Sequence, residues 1–132
     1  MAVGVMIGAP VPYLRLRQGI GFLLIACIVY LSLTPHPLEV PAEHGDKYGH
    51  IVAYLTLMIW FGLIYRTMWN RIGLAVAFVG LGVCLEFLQG LTDYRTCDVA
   101  DMGADALGVG LGWLVLPRYR FRRRAGTSAS TS

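Results

Sequence analysis

Asp98-Val-Ala-Asp101-Met-Gly-Ala-Asp105-Ala-Leu-Gly108-Val-Gly-Leu-Gly112-Trp-Leu-Val-Leu116 decides how this chain folds. Its apolar part, residues 106–116, has eleven residues. A helix of that length rises about 17 Å, too little for a hydrocarbon layer of about 30 Å. Extension back through Asp105 and Asp101 gives about 17 residues, near the lower limit for a span. The extension puts two carboxylates in the first turns, where the helix dipole favours negative charge. Asp98, Asp101 and Asp105 stand at i, i+3 and i+7, and Gly108 and Gly112 continue the same stripe. One helix face is thus acidic at one end and bare at the other. Glycines at i, i+4 let helix backbones approach closely. Such a face needs partner helices.

Three longer apolar runs supply them. They cover residues 18–34, 48–65 and 72–91. Pro35-His36-Pro37 ends the first, because proline cannot continue the hydrogen-bond ladder. The positive start of that run resembles a secretion signal. Proline follows its small-residue pair, Ser32 and Thr34, so an uncleaved anchor is expected. Of 132 residues, 56% are hydrophobic and only 14% are charged. Ordinary soluble domains carry about 25% charge. These values exclude a disordered chain and leave too few charges to cover a water-soluble globule. The predicted fold is therefore all-α: an integral membrane four-helix bundle of one domain. Residues 1–17 form an N-terminal cytoplasmic or interfacial segment, 18–117 the transmembrane domain, and 118–132 a basic, then disordered, cytoplasmic tail. No internal repeat is present.

The charges set the expected orientation. Arg15, Arg17, Arg66, Arg71 and the five arginines from Arg118 to Arg124 account for nine of eleven basic residues. All nine adjoin the termini or the second connection. Basic residues near helix ends favour the cytoplasm. Both termini should then be cytoplasmic, with the first and third connections outside. Residues 118–124 are also suited to anionic lipid. They are too short and too close to the membrane for nucleic acid. Cys27, Cys84 and Cys97 are too scattered for a disulfide framework or a zinc spacing.

The acids gather at the outer end. Asp46, His50 and Tyr54 share a face of helix two at i, i+4 and i+8, with Lys47 beside them. Helix three carries Glu86, Gln89 and Asp93 at i, i+3 and i+7. Glu86 lies roughly 8 Å inside the helix end. A charge at mid-helix costs about 2.5–3.5 kcal/mol against lipid, so Glu86 should face the bundle. The faces of helices two, three and four are expected to meet as an outward-opening polar pocket. Asp46, Glu86, Asp93, Asp98, Asp101 and Asp105 oppose only Lys47 and Arg95, a formal −4 with His50 neutral. Protons, a cation or water must relieve that excess. No dense loop of oxygen ligands is present, so metal is not favoured and no cofactor is expected.

Plainer readings stand beside these. Lys47 and Arg95 suit pairing with loop aspartates. Asp98 and Asp101 suit helix capping. Glu86, Gln89 and His50 suit an interhelical clamp, and Gly108 and Gly112 suit packing.

From residue 32 to residue 112 the chain resembles the VanZ-like family of small bacterial membrane proteins. The resemblance rests on Ser32-Leu33-Thr34-Pro35, Asp46-Lys47, His50 and Tyr54, Glu86 and Gln89, Arg95, and Asp98 with Asp101. Asp105 departs from it, standing where the family usually has asparagine three residues before Gly108. That departure adds a carboxylate where a neutral amide would sit. The resemblance implies a bacterial cytoplasmic membrane and a context of low-level resistance to the glycopeptide teicoplanin. It implies no established reaction. Three functions follow. The pocket binds an envelope lipid or a lipid-linked cell-wall precursor, with Lys47 and Arg95 on the anionic head group and Glu86, Gln89 and Asp101 orienting them. Asp46, Tyr54, Asp98 and Asp105 would support that cluster. Alternatively, His50 and Glu86 act as acid and base of a membrane-embedded hydrolase or group-transfer enzyme. Alternatively, the cluster only locks helices together.

Overall fold

A computed structural model describes residues 13–35 and 43–118. Residues 1–12, 36–42 and 119–132 lie outside the described residues, including most of the basic tail assigned to anionic lipid and His36 of the first loop. The described chain forms four helices: α1 (Leu14–Leu33), α2 (Gly45–Ile64), α3 (Met68–Gly90) and α4 (Val99–Val115). Among the described residues there is no strand.

Three of these helices, α1, α2 and α3, are long and apolar enough to cross a membrane. The fourth is not. It has 17 residues and carries Asp101 and Asp105 in its first half. The expected all-helical bundle is present: three of its helices qualify as spans by length and composition, and α4 packs against α2 and α3 in the same bundle. The helices also begin earlier than the apolar runs. Leu14, Gly45 and Met68 open α1, α2 and α3, so Arg15, Arg17, Asp46, Lys47 and Arg71 are helical. Hydropathy marks where apolar surface begins, whereas the backbone ladder runs on through polar residues at a helix end. Thr67 starts α3 by accepting a hydrogen bond from the Asn70 N–H at 3.2 Å. Asp98 starts α4 by accepting from the Ala100 N–H at 2.8 Å. Side-chain oxygens at this position satisfy amides that lack a partner within the helix.

The tightest packing joins α2 to α4. A Cβ on Gly108 would lie 2.5 Å from the Ile51 carbonyl oxygen and 3.1 Å from the Tyr54 Cβ. On Gly112 it would lie 2.8 Å from the Met58 Cβ. Tyr54, Leu57, Met58 and Phe61 of α2, with Phe78 of α3 and Val109 of α4, fill the interior. The Phe61 ring sits 5.5 Å from that of Phe78 and covers Gly21 of α1. Phe22, Leu23, Val76, Phe87 and Leu114 point outward and are well over half exposed. This is an apolar exterior around a partly polar interior, the arrangement lipid selects.

At the end bearing the chain's N-terminal side, Arg71 is buried. Its Nη1 donates to the Pro117 carbonyl at 2.9 Å and its Nη2 to the Gly62 carbonyl at 3.2 Å. Trp60 donates to the Arg17 carbonyl at 2.9 Å, and Gln18 to the Tyr65 hydroxyl at 2.7 Å. Cys27, Cys84 and Cys97 are free, exposed thiols.

Candidate functional site

At the opposite end four helix termini come together: the close of α1, the start of α2, the close of α3 and the start of α4. Lys47 reaches across to α4. Its Nζ lies 3.1 Å from Asp98 Oδ2 and 3.3 Å from Asp101 Oδ1. Asp46 is 4.0 Å away and largely exposed. One turn deeper, His50 Nδ1 lies 2.7 Å from Asp105 Oδ1. Its Nε2, on the other side of the ring, faces Asp101 Oδ2 at 3.9 Å. Asp105 fits beside α3 because residue 82 is glycine; a Cβ there would collide with the Asp105 carboxyl. Glu86 is fully buried, and its Oε2 accepts the Asp98 backbone N–H at 3.1 Å.

The charge at the mouth of the cluster is locally settled. The Ala100 N–H and then the Lys47 ammonium hold the Asp98 carboxyl below its ordinary value of 3.8. Both favour the ionised form. Asp98 therefore caps α4 and anchors Lys47 with opposite sides of one carboxylate.

Three side chains grip α1 instead of each other. Gln89 donates to the Ser32 carbonyl at 2.7 Å. Arg95 donates through Nη1 to the same carbonyl at 2.8 Å, and Tyr94 donates to the Leu33 carbonyl at 2.9 Å. The last carbonyls of any helix lack partners within it, and here the end of α3 and the α3–α4 connection provide them.

A cavity of about 220 Å³ opens between α1 and α2 beside this clamp. Arg95, Asp46, His50 and Tyr54 line it, with Ile28, Leu31 and Ala53 as its apolar part. Lys47, Gln89 and Asp101 do not line it. They are bonded within the protein. Glu86 and Asp105 are buried and do not line it either, and Asp98 stands half-exposed at the mouth of the cluster. The sequence-derived residues thus divide into two sets: a cavity wall and an internal network. His50 belongs to both.

Sequence reasoning missed three contributors. Gly82 stands one turn before Glu86 on the same face and could have been found from that spacing. Tyr94 and the backbone carbonyls of α1 carry no such signal. Arg71, read from sequence only as an orientation charge, is a buried clamp at the other end.

An all-helical chain with three membrane-length helices and a polar network buried at one end is the fold of a small membrane protein. The VanZ/LLP1 family pattern matches residues 21–121, most of the chain, and the protein belongs to that family. It is 29% identical over 103 residues to the uncharacterized protein C11E3.10 of Schizosaccharomyces pombe (strain 972 / ATCC 24843). The aligned region is 76% of this chain and 62% of that protein, so the chain spans somewhat under two thirds of its relative's length. No solved structure matches.

Proposed function

We propose that the cavity beside Arg95 binds the anionic head group of an envelope lipid or lipid-linked cell-wall precursor. In this reading the protein is non-catalytic, the site end faces outward from a bacterial cytoplasmic membrane, and occupancy alters teicoplanin susceptibility. One observation carries it: a guanidinium on the wall of a cavity that is polar on one side and apolar on the other. Among the described residues, Arg95 hydrogen bonds only through Nη1. Its remaining N–H groups are free to form the paired, charge-assisted bonds that phosphate accepts. At about 220 Å³ the cavity is smaller than the roughly 300–1,000 Å³ of drug-sized sites. It admits a head group, with the acyl chains left in the bilayer. Lys47 supports the wall indirectly, through Asp98 and Asp101.

The test is binding of phosphatidylglycerol in nanodiscs of otherwise zwitterionic lipid. Arg95→Ala is expected to weaken binding by about tenfold or more, the effect of about 1.4 kcal/mol. Gln89→Ala removes a second bond to the same Ser32 carbonyl but leaves the wall intact, and is expected to bind normally. Equal loss in both variants, or none in Arg95→Ala, refutes the reading. The enzymatic alternative is favoured by His50, which lies on the wall with its ring oriented by Asp105 at 2.7 Å. Release of a head group from these lipids, abolished in His50→Ala, would establish it.

The orientation has its own test. Cys97 is an exposed thiol in the α3–α4 connection. A membrane-impermeant maleimide added to intact cells is expected to label the protein, and Cys97→Ser to remove the label. Labelling that appears only after lysis would place this end inside.

A further inference from the structure

The internal network leaves two buried carboxylate oxygens unmatched. Glu86 Oε1 and Asp105 Oδ2 are inaccessible and have no hydrogen-bond partner among the described residues. Their residues are 0% and 1% exposed. The nearby cations are committed elsewhere: Lys47 to Asp98 and Asp101, Arg95 to the carbonyls of α1. Among the described residues Glu86 forms no ion pair, and Asp105 pairs only with His50. Leaving buried carboxylates in that state is costly, because a charge removed from water requires a partner.

The same two carboxyls lie with His50 in a compact set. One ligand atom from each of His50, Glu86 and Asp105 lies within 4.8 Å of the other two. Two donors on a tetrahedral zinc, each at about 2.0–2.2 Å, are about 3.4 Å apart. That falls between the 2.7 Å of the His50–Asp105 contact and the 4.8 Å outer limit of the set. We propose that His50, Glu86 and Asp105 bind one divalent cation of the zinc type. The donors are one imidazole and two carboxylates, a set zinc accepts, and three protein ligands leave a fourth position open. The charge balances: two carboxylates, a neutral imidazole and a 2+ ion sum to zero.

The surroundings fit the same assignment. Ligating histidines hand their second ring N–H to a carboxylate or carbonyl. Asp101 Oδ2 stands on the Nε2 side of His50 at 3.9 Å, with Lys47 holding its other oxygen. Gly82 leaves the space that the Asp105 carboxyl occupies. His50 also lines the cavity, which joins the proposed site to it. The ligands come from three helices, which is why no linear metal-binding spacing marks them. The site requires no lipid and stands independently of the head-group reading.

The test uses tag-free, full-length protein in detergent, loaded with zinc chloride and dialysed. Wild type is expected to retain one zinc per chain. Glu86→Gln and Asp105→Asn should each lose more than about 100-fold in affinity, measured against a competing chelator, and Asp101→Asn about 10–100-fold. Cys97→Ser and His44→Ala should bind as wild type does. X-ray absorption on the zinc-loaded wild type serves if a ligand variant fails to fold. Three or four nitrogen or oxygen neighbours at about 2.0–2.2 Å, with the outer-shell scattering of one imidazole, support the site. Sulfur in that shell, no zinc retained by folded wild type, or unchanged affinity in Asp105→Asn overturns it.

Discussion

Replacing Gly108 with leucine is expected to remove folded protein from the membrane. The Cβ alone would lie 2.5 Å from the Ile51 carbonyl oxygen and 3.1 Å from the Ile51 Cα. These are backbone atoms, so no flexible side chain can swing aside. α4 must instead move away from α2. That movement parts Lys47 from Asp98 and Asp101, and His50 from Asp105, since each pair bridges α2 and the start of α4. Within lipid, helices have no hydrophobic drive to re-close, because acyl chains are as apolar as leucine. Over-packing of a soluble core costs about 1–3 kcal/mol. Here the insertion is larger and strikes backbone, so a loss of about 4 kcal/mol or more is expected, the range reserved for core failure. Detergent-solubilised yield by size-exclusion chromatography measures it. Gly110→Leu is the control on the same helix: nothing lies within 4 Å of its added Cβ. It should elute as wild type does. Equal behaviour of the two variants would show that α2 and α4 are not packed through Gly108.

Arg71→Ala is expected to lower stability by about 3 kcal/mol. Arg71 is 7% exposed, and its two bonds tie α3 to the close of α2 and to Pro117, two residues past the end of α4. Hydrogen bonds to a charged group are worth about 1.5–3 kcal/mol each, and their removal leaves two carbonyls without a donor. The fall in melting temperature should be on the order of 10 °C. Arg71→Lys keeps the charge but loses the planar fork that spans two acceptors, and should recover part of the loss. Arg66, in the connection just before α3, is exposed, and its side chain bonds only to the Leu63 carbonyl at 3.3 Å among the described residues. Arg66→Ala should change stability by less than about 0.5 kcal/mol. If both alanine variants melt alike, Arg71 acts only as a charge.

The existence of four helices was legible in the apolar runs, in Pro35, and in the Asp98–Gly112 stripe. Each is a local property of the chain. The starts of α1, α2 and α3 were less legible, because Arg15, Lys47 and Arg71 extend helices beyond their apolar stretches. α4 was legible as a helix and not as a span: its length reaches the lower limit only by counting its carboxylates. At the site, side-chain spacing identifies a face and says nothing about which atom across the bundle that face meets. Lys47 and Arg95 were grouped by charge. The structure separates them, since Lys47 has aspartates within reach and Arg95 has the carbonyls of α1. The part played by α1 was invisible. It is made of main-chain oxygens, which every sequence possesses. Arg71 and Arg66 looked equivalent for a similar reason, because burial belongs to the assembled bundle and not to the residue type.

The way α1 is fastened has a consequence for how the cavity is reached. Trp60 and Tyr65 secure its beginning, and Gln89, Tyr94 and Arg95 secure its final turn. Between those moorings Gly21 is its one buried residue. Leu24, Ile25 and Ile28 pack against the core only in part, so a sideways bow of α1 would leave those polar ties unbroken. Ile28 and Leu31 would then part from Ala53 and open a seam that faces the acyl chains. Under the head-group reading proposed above, an amphiphile would enter through that seam from within its own leaflet, tails still solvated by neighbouring lipids, and never cross water.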